Sequence, residues 1–503
     1  MILRLRSALG ARHHLCPRWH ELPMICGLLV ATITVLVTAA SALGQESEGF
    51  RDALGLLDAW AMNRSASRGQ PGLSIGVVLG DHLVWARGYG FADLAKKAPA
   101  TPQTLYRIGS ITKTFTAVAI LQLRDTGKLQ LDDSLQRHLT GVSIQPHSND
   151  APVVTLRELL THTSGLQREV PGTVWSDAVW PSEANLRATL IQPFDPGTEW
   201  KYSNLGFALL GKVVEAEGGQ PWDKYVQEHI LTPLGMLKTR PVPHPDEPGL
   251  AVGYIRTDPG GSFVQAEYSP SGPLNPAGSI ASSVEDLGKY LAFHMEEGSS
   301  RDSHVLSGGS LREMHRPQWL LSDWQNAWGF GMRVRRVDGI VRVGHGGSVP
   351  GYTSYVEFVP ALKLGVIVLT NSSDGDPTSY VDYALQLLSP LVAKSLVRPS
   401  ERLGEELKRY EGVYRSKNYR VSIVTVLDGQ LSMVAPEAPN PNAARTLLER
   451  TNDPQVFTMR SGGGFSTEAF GERLTFDVTT DGTVTGFHTE NWRFSRVGRL
   501  GSP

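Results

Sequence analysis

Tyr106-Arg107-Ile108-Gly109-Ser110-Ile111-Thr112-Lys113 opens a strongly apolar run. The spacing predicts a helix from near Ser110 to Gly127, the latter a C′ glycine. A serine at a helix start has backbone N–H groups directed at whatever sits on its oxygen. Lys113 lies one turn later, on the same face and within reach of the hydroxyl. A serine hydroxyl is a weak nucleophile that needs a base. A lysine serves once burial and neighbouring cations lower its pKa. Taken alone, Ser-x-x-Lys also reads as an N-cap serine followed by a solvated lysine.

Two other stretches bear on that choice. Tyr202-Ser203-Asn204 follows the turn signal Pro196-Gly197 and precedes a helix over Leu205–Glu217. A phenol relays protons, and a carboxamide such as Asn204 holds a substrate amide. A buried tyrosine beside an asparagine N-cap is the plainer alternative. His345-Gly346-Gly347-Ser348 lies between the strand signals Ile340–Val343 and Tyr352–Val359. Gly346 and Gly347 allow close backbone approach to a ligand. The N–H of Ser348, with that of Ser110, would supply two oxyanion donors. A glycine-rich turn is the plainer alternative here.

Around these stretches the pattern predicts an α+β protein. A helix is expected over Phe50–Arg64, then strands Leu73–Leu79 and Leu83–Tyr89 joined by Gly80-Asp81. Residues 130–320 read as mostly helical, with capping boxes at Thr155-x-x-Glu158 and Ser282-x-x-Glu285. Strand signals return at Trp328–Val337, Ile340–Val343, Tyr352–Val359 and Leu364–Leu369, ahead of a helix over Ser379–Leu396. The simplest assembly is one antiparallel sheet made from both ends, covered by helices, with an all-helical subdomain between. Residues 46–396 form this unit. Residues 397–404 read as a linker. Residues 405–498 carry short strand-like runs with Asp428-Gly429 and Asp481-Gly482 turns, which predict a small antiparallel β domain of barrel type.

The three stretches occur in the order Ser-x-x-Lys, Tyr-x-Asn, His-x-Gly. With Tyr106–Gly109, Leu159-Leu160-Thr161-His162-Thr163-Ser164-Gly165-Leu166 and Pro196-Gly197, the chain resembles the serine β-lactamase and penicillin-binding protein superfamily over roughly residues 50–395. The likeness is to its class C-like branch, with D-alanyl-D-alanine carboxypeptidases, D-aminopeptidases and esterases. It implies that Ser110 forms an acyl-enzyme, that Lys113 helps deprotonate it, and that Tyr202 shuttles the proton to the leaving group. It implies that Asn204 positions the substrate amide and that His345 stands where many members have lysine. It also implies a β-lactamase/transpeptidase-like fold.

Two departures shape the expected function. A histidine with pKa near 6.5 is largely neutral at pH 7, so it holds a substrate carboxylate less firmly than lysine. Gly346 removes the usual threonine hydroxyl. The expectation is a peptidase or esterase acting on D-amino-acid-type peptides or esters, with at most weak β-lactam turnover. A second expectation is a penicillin-binding sensor that is acylated without turnover. A third is an α/β-hydrolase using Ser74, because Gly72-Leu73-Ser74-Ile75-Gly76 matches a nucleophile elbow. Against the third, Ser74 begins a strand that runs into a hairpin, with no helix after it.

With 503 residues, 41% hydrophobic, and a net charge of −2, the chain has enough apolar mass for large cores and no basic excess for nucleic acid. The histidines are scattered, so neither a metal nor a cofactor is expected. Arg4, Arg6, Arg12 and Arg18 precede an apolar run ending in Ala40-Ser41-Ala42, which reads as a cleaved signal peptide over residues 1–42. An uncleaved anchor through residues 22–45 is the alternative, and the sole route to a membrane. Either way the protein is expected to be exported, periplasmic or secreted, with a small-molecule or peptide substrate such as a cell-wall stem peptide. Both cysteines, Cys16 and Cys26, lie in this leader, which leaves no thiol beyond it.

Overall fold

The computed structural model describes residues 48–170, 180, 190–258, 261–296, 305–396, 406–418, 421–427, 430–434, 446–461 and 471–499. The leader, the expected linker and the Asp428-Gly429 turn lie outside the described residues. The chain divides into two compact units at Ala393/Lys394.

The first unit is built on a nine-stranded antiparallel sheet. Its strands are β1 (Gly72–Leu79), β2 (His82–Asp93), β3 (Ala98–Pro99), β4 (Trp319–Leu320), β5 (Asn326–Trp328), β6 (Arg333–Val337), β7 (Ile340–Val349), β8 (Tyr352–Val359) and β9 (Leu364–Thr370). The order across the sheet is β3-β2-β1-β9-β8-β7-β6-β5-β4. The N-terminal hairpin and the C-terminal strands therefore meet at β1 and β9, where Ile75 faces Val368.

Alternation along these strands feeds two cores. Leu73, Ile75, Val77, Val366 and Val368 point to helices α1 (Glu48–Ser67) and α6 (Pro377–Leu396), packing on Leu57, Ala61, Tyr380 and Leu385. Val78, Ile367, Leu369 and Phe358 point the other way, into the cluster with α2 (Thr112–Asp125), α4 (Asn204–Gly218) and α5 (Val284–His294). Each such fully buried aliphatic side chain contributes roughly 1.5–3 kcal/mol. Helix α3 (Leu156–Thr161) begins with the expected capping box, Thr155 and Glu158 exchanging side-chain and backbone bonds.

Several local expectations need correction. In place of the box expected at Ser282/Glu285, a simple cap sits one residue on: Ser283 caps α5 by accepting from the Asp286 N–H. Ser282 is drawn instead into a two-residue ribbon opposite Tyr106. The single strand expected over Trp328–Val337 is a hairpin, β5 and β6, broken at Gly329–Met332. Gly331 has φ +66°, and a Cβ there would lie 2.9 Å from the Ala117 methyl. The His345–Ser348 stretch is not a turn between strands but part of β7. Ser74 lies in mid-strand with no exposure, bonded to the Thr101 carbonyl and the Tyr106 hydroxyl, each at 2.9 Å. It occupies no strand-to-helix elbow, which removes the α/β-hydrolase reading.

The second unit is a closed barrel of eight antiparallel strands, from Gly412–Ser416 round to Arg493–Gly498, which pair with each other. Two of them, Thr446–Arg450 and Val456–Ser461, were not expected from sequence. Its interior is filled by Tyr410, Tyr414, Phe457, Phe476, Phe487 and other apolar side chains. At the Asp481-Gly482 turn, Gly482 takes φ +86° and the aspartate accepts the Thr483 N–H.

Candidate active site

Residues Gly109–Ile111 form a 3-10 turn that leads directly into α2. Gly109 adopts φ +51°, and a Cβ there would lie 2.6 Å from the Ser348 nitrogen. A Cβ on Gly347 would fall 1.9 Å from the Ile108 carbonyl oxygen. Two glycines thus let β7 lie directly against the turn that carries Ser110. The contact is tied by Ser354, whose hydroxyl donates to the Ile108 carbonyl at 2.9 Å. From the other side, the Ile108 N–H donates to the Ile280 carbonyl at 2.9 Å.

Ser110 is half-buried, while Lys113 is completely buried. The Lys113 Nζ lies 3.2 Å from the Ser110 Oγ and 2.8 Å from the Ala277 carbonyl. Among the described residues no carboxylate forms an ion pair with it. Burial pushes its pKa well below the usual lysine value; Glu169 partly opposes this and Arg168 adds to it. The neutral amine is the form that accepts a proton from serine.

Tyr202 closes the other side. Lys113 Nζ sits 4.9 Å from its ring centroid, and its hydroxyl is hydrogen-bonded to Ser110. Burial pushes the phenol above its ordinary range, with the Ser110 bond and Arg168 opposing. Tyr202 therefore carries its proton at neutral pH, and of the two groups bonded to Ser110 only Lys113 has its pKa lowered toward the neutral, proton-accepting form.

His345 is buried on β7, with its ring centroid 6.2 Å from that of Tyr202. Its Nδ1 lies 2.5 Å from the Gly346 carbonyl, which assigns the ring proton to Nδ1 and leaves Nε2 a buried acceptor without a partner among the described residues. Burial first, then the fields of Lys113 and Arg333, push its pKa down to about 3; the Gly346 bond opposes them. The imidazole is thus uncharged at every physiological pH, and the titration near 6.5 expected from sequence is displaced.

Asn204 is buried at the start of α4, but its amide is occupied. Nδ2 donates to both oxygens of Glu169, at 2.9 and 3.1 Å, while Oδ1 has no partner among the described residues. Glu169 in turn pairs with Arg168 at 3.1 Å, and the Arg168 guanidinium lies 5.3 Å from the Tyr202 ring centroid. Gly347 and Ser348 lie against the Ser110 turn through the backbone contacts above.

The structure adds residues that local pattern did not single out. His162 ends α3 in the left-handed conformation, φ +62°. Its carbonyl accepts the Lys201 N–H at 2.8 Å and its Nδ1 accepts the Ser203 N–H at 3.2 Å. It therefore grips the backbone on both sides of Tyr202, and its ring packs 4.3 Å from the phenol ring. Trp328 meets both imidazoles edge-on and stacks on Trp200 at 5.2 Å. No spacing rule announces these; the His162 stretch entered only through its family likeness.

A family model described as Beta-lactamase matches residues 57–389. Beta-lactamase-like protein 2 of Dictyostelium discoideum is 31% identical over 332 residues, 64% of this chain, and the match spans 59% of that protein's own length. Penicillin-binding protein 4 of Amycolatopsis lactamdurans is 29% identical over 341 residues, 64% of this chain and 86% of that one. Among solved structures, the octameric penicillin-binding protein homologue from Pyrococcus abyssi superposes with a TM-score of 0.58 at 27% identity, covering 88% of this chain and 99% of that chain. The D-stereospecific amidohydrolase from Streptomyces sp. shares the fold, with a TM-score of 0.54 at 24% identity over 65% of this chain and 97% of that chain. On the fold, the matched span and these relatives, the chain belongs to the Beta-lactamase family of penicillin-binding-protein-like serine hydrolases.

Proposed function

We propose that this protein is an exported serine hydrolase that forms an acyl-enzyme on Ser110, acting on a D-amino-acid-type peptide or an ester. The observation that carries the reading is the buried Lys113 amine, without a carboxylate partner among the described residues, at hydrogen-bonding distance from an oxygen that is also bonded to Tyr202. Lys113 takes the hydroxyl proton as Ser110 attacks the carbonyl carbon. The Ser110 and Ser348 N–H groups steady the oxyanion. Tyr202 passes a proton to the leaving group, and the reverse relay activates water for deacylation. Penicillin recognition is supported by the likeness to Penicillin-binding protein 4. Efficient β-lactam turnover is disfavoured by the neutral His345 and by Gly346, which offer a substrate carboxylate neither fixed charge nor hydroxyl.

The test is intact-mass spectrometry after exposure to a fluorophosphonate and to a penicillin, with peptide mapping. Both adducts are expected on Ser110, the penicillin adduct decaying slowly. Labelling that survives Ser110→Ala would overturn the reading. A single burst of ester product with no steady state would favour the sensor.

A further inference from the structure

Arg107, three residues before the nucleophile, is only 2% exposed. Nη1 donates to the Ser269 carbonyl at 2.7 Å and Nη2 to the Ser271 hydroxyl at 3.2 Å. The guanidinium carbon lies 4.7 Å from the Tyr268 ring centroid. A guanidinium has five N–H donors. Two are used here, and Nε is buried without a partner among the described residues. Among the described residues no carboxylate pairs with Arg107. A buried cation needs a counter-charge or a full set of acceptors, and neutral oxygens at two donors provide neither.

The same unit shows how it otherwise handles a buried guanidinium. Arg342, also 2% exposed, lies 3.0 Å from Asp382 and 3.7 Å from Glu357. Arg335 takes Glu357 at 2.6 Å and also pairs with Asp382. What Arg107 has in place of an acid is a cavity of about 530 Å³ on whose wall it lies, together with Ser271, Asn275 and Ser279 and, among the described residues, no Asp or Glu.

We infer that this cavity binds a small oxyanion, a carboxylate or phosphate group, held by the unused donors of Arg107. None of Ser110, Lys113, Tyr202 and His345 lines the cavity, and the melting test of the proposal does not rest on the acyl-enzyme reading. The segment forming the cavity wall also carries Ala277, whose carbonyl holds Lys113, so occupancy steadies the backbone behind the base. The oxyanion is either a free ion or the anionic end of a substrate that reaches the cavity.

The experiment is a melting titration of the full chain at constant ionic strength, replacing chloride by inorganic phosphate or acetate. A saturable rise in Tm is expected for the wild type and no rise for Arg107→Met. Should Arg107→Met fail to fold, Ser271→Asp tests the same point by placing a carboxylate beside Nη2. That variant should melt higher than wild type in chloride alone and ignore the added anion. A flat wild-type titration, or Ser271→Asp responding as wild type does, overturns the proposal. The source is separated kinetically. If phosphate raises KM for a carboxylate-bearing ester and not for a neutral ester, the substrate's own anion occupies the cavity. If neither KM moves while Tm rises, the ligand is a free ion.

Discussion

Lys113 and His345 are both buried bases near one serine, yet they meet opposite fates. The lysine lies within bonding distance of the Ser110 hydroxyl, whereas the histidine spends its one N–H on the Gly346 carbonyl. Lys113→Met keeps the bulk and removes the base, and it is expected to slow acylation by an activated ester about 10²–10⁴-fold. Because the base must be unprotonated, the rate should rise with pH through the lowered lysine pKa. His345 titrates near 3 and stays neutral above that, so His345→Gln should leave the acid limb in place. A limb that moves by more than about one pH unit would make His345 the titrating group. The structure brings Ser110, Lys113 and Tyr202 together; in the sequence each short motif alone had a plainer reading, and only their order and the family likeness pointed to a shared site. Glu169 was not, because its hold on Asn204 exists only after the chain has folded back between α3 and α4.

At the scale of elements, the site depends on how closely β7 approaches the nucleophile turn. Gly347→Ala would put a methyl group 1.9 Å from the Ile108 oxygen, and backbone on both sides has to move. The expected cost is about 1–3 kcal/mol of stability. Activity should fall far more than the melting point, because Ser348 and Ser110 separate. Gly339→Ala, at the β6–β7 turn with φ +77° but open space around it, is the control that strains backbone without touching the site. Circular-dichroism melting and ester kinetics on both variants check this. If the two lose equal activity, close packing of β7 is not what matters. Elements with a plain periodic signal, such as α2 and β1, were legible nearly to their ends, whereas β2 runs on four residues past the expected Tyr89 to Asp93. The β5–β6 break was not, since Val334 and its neighbours alternate as a strand should. Only the packing of Gly331 against α2 shows why the chain turns there. The capping serine of α5 shifted for a similar reason, a tertiary ribbon outbidding a local pattern.

Over the whole molecule, the first unit buries histidines that must stay neutral. His162 and His294 are fully buried with pKa values well below the ordinary one, and His345 titrates near 3; burial is the largest cause in each. His294 bonds His315 at 3.0 Å between Tyr290, Phe293 and Phe358, with no carboxylate partner of its own among the described residues. In the unfolded chain each imidazole binds a proton below about pH 6.5. The folded state refuses that proton, so the unfolded state is favoured as pH falls. Stability is therefore complete above about pH 6.5 and declines as pH drops toward the folded pKa values, by up to about 1.4 kcal/mol per pH unit for each histidine. Urea unfolding followed by tryptophan fluorescence between pH 8 and 5 reads this slope. All tryptophans of the described residues except Trp492 lie in the first unit, so the signal reports chiefly on that unit. His294→Gln keeps an amide for His315 and removes one titrating ring, and should flatten the slope by about one proton without shifting the pH dependence of acylation. A wild-type stability that is level from pH 7 to 5 would mean that these rings accept protons in place, and with it would go the neutral His345 on which the weak grip on β-lactam carboxylates rests.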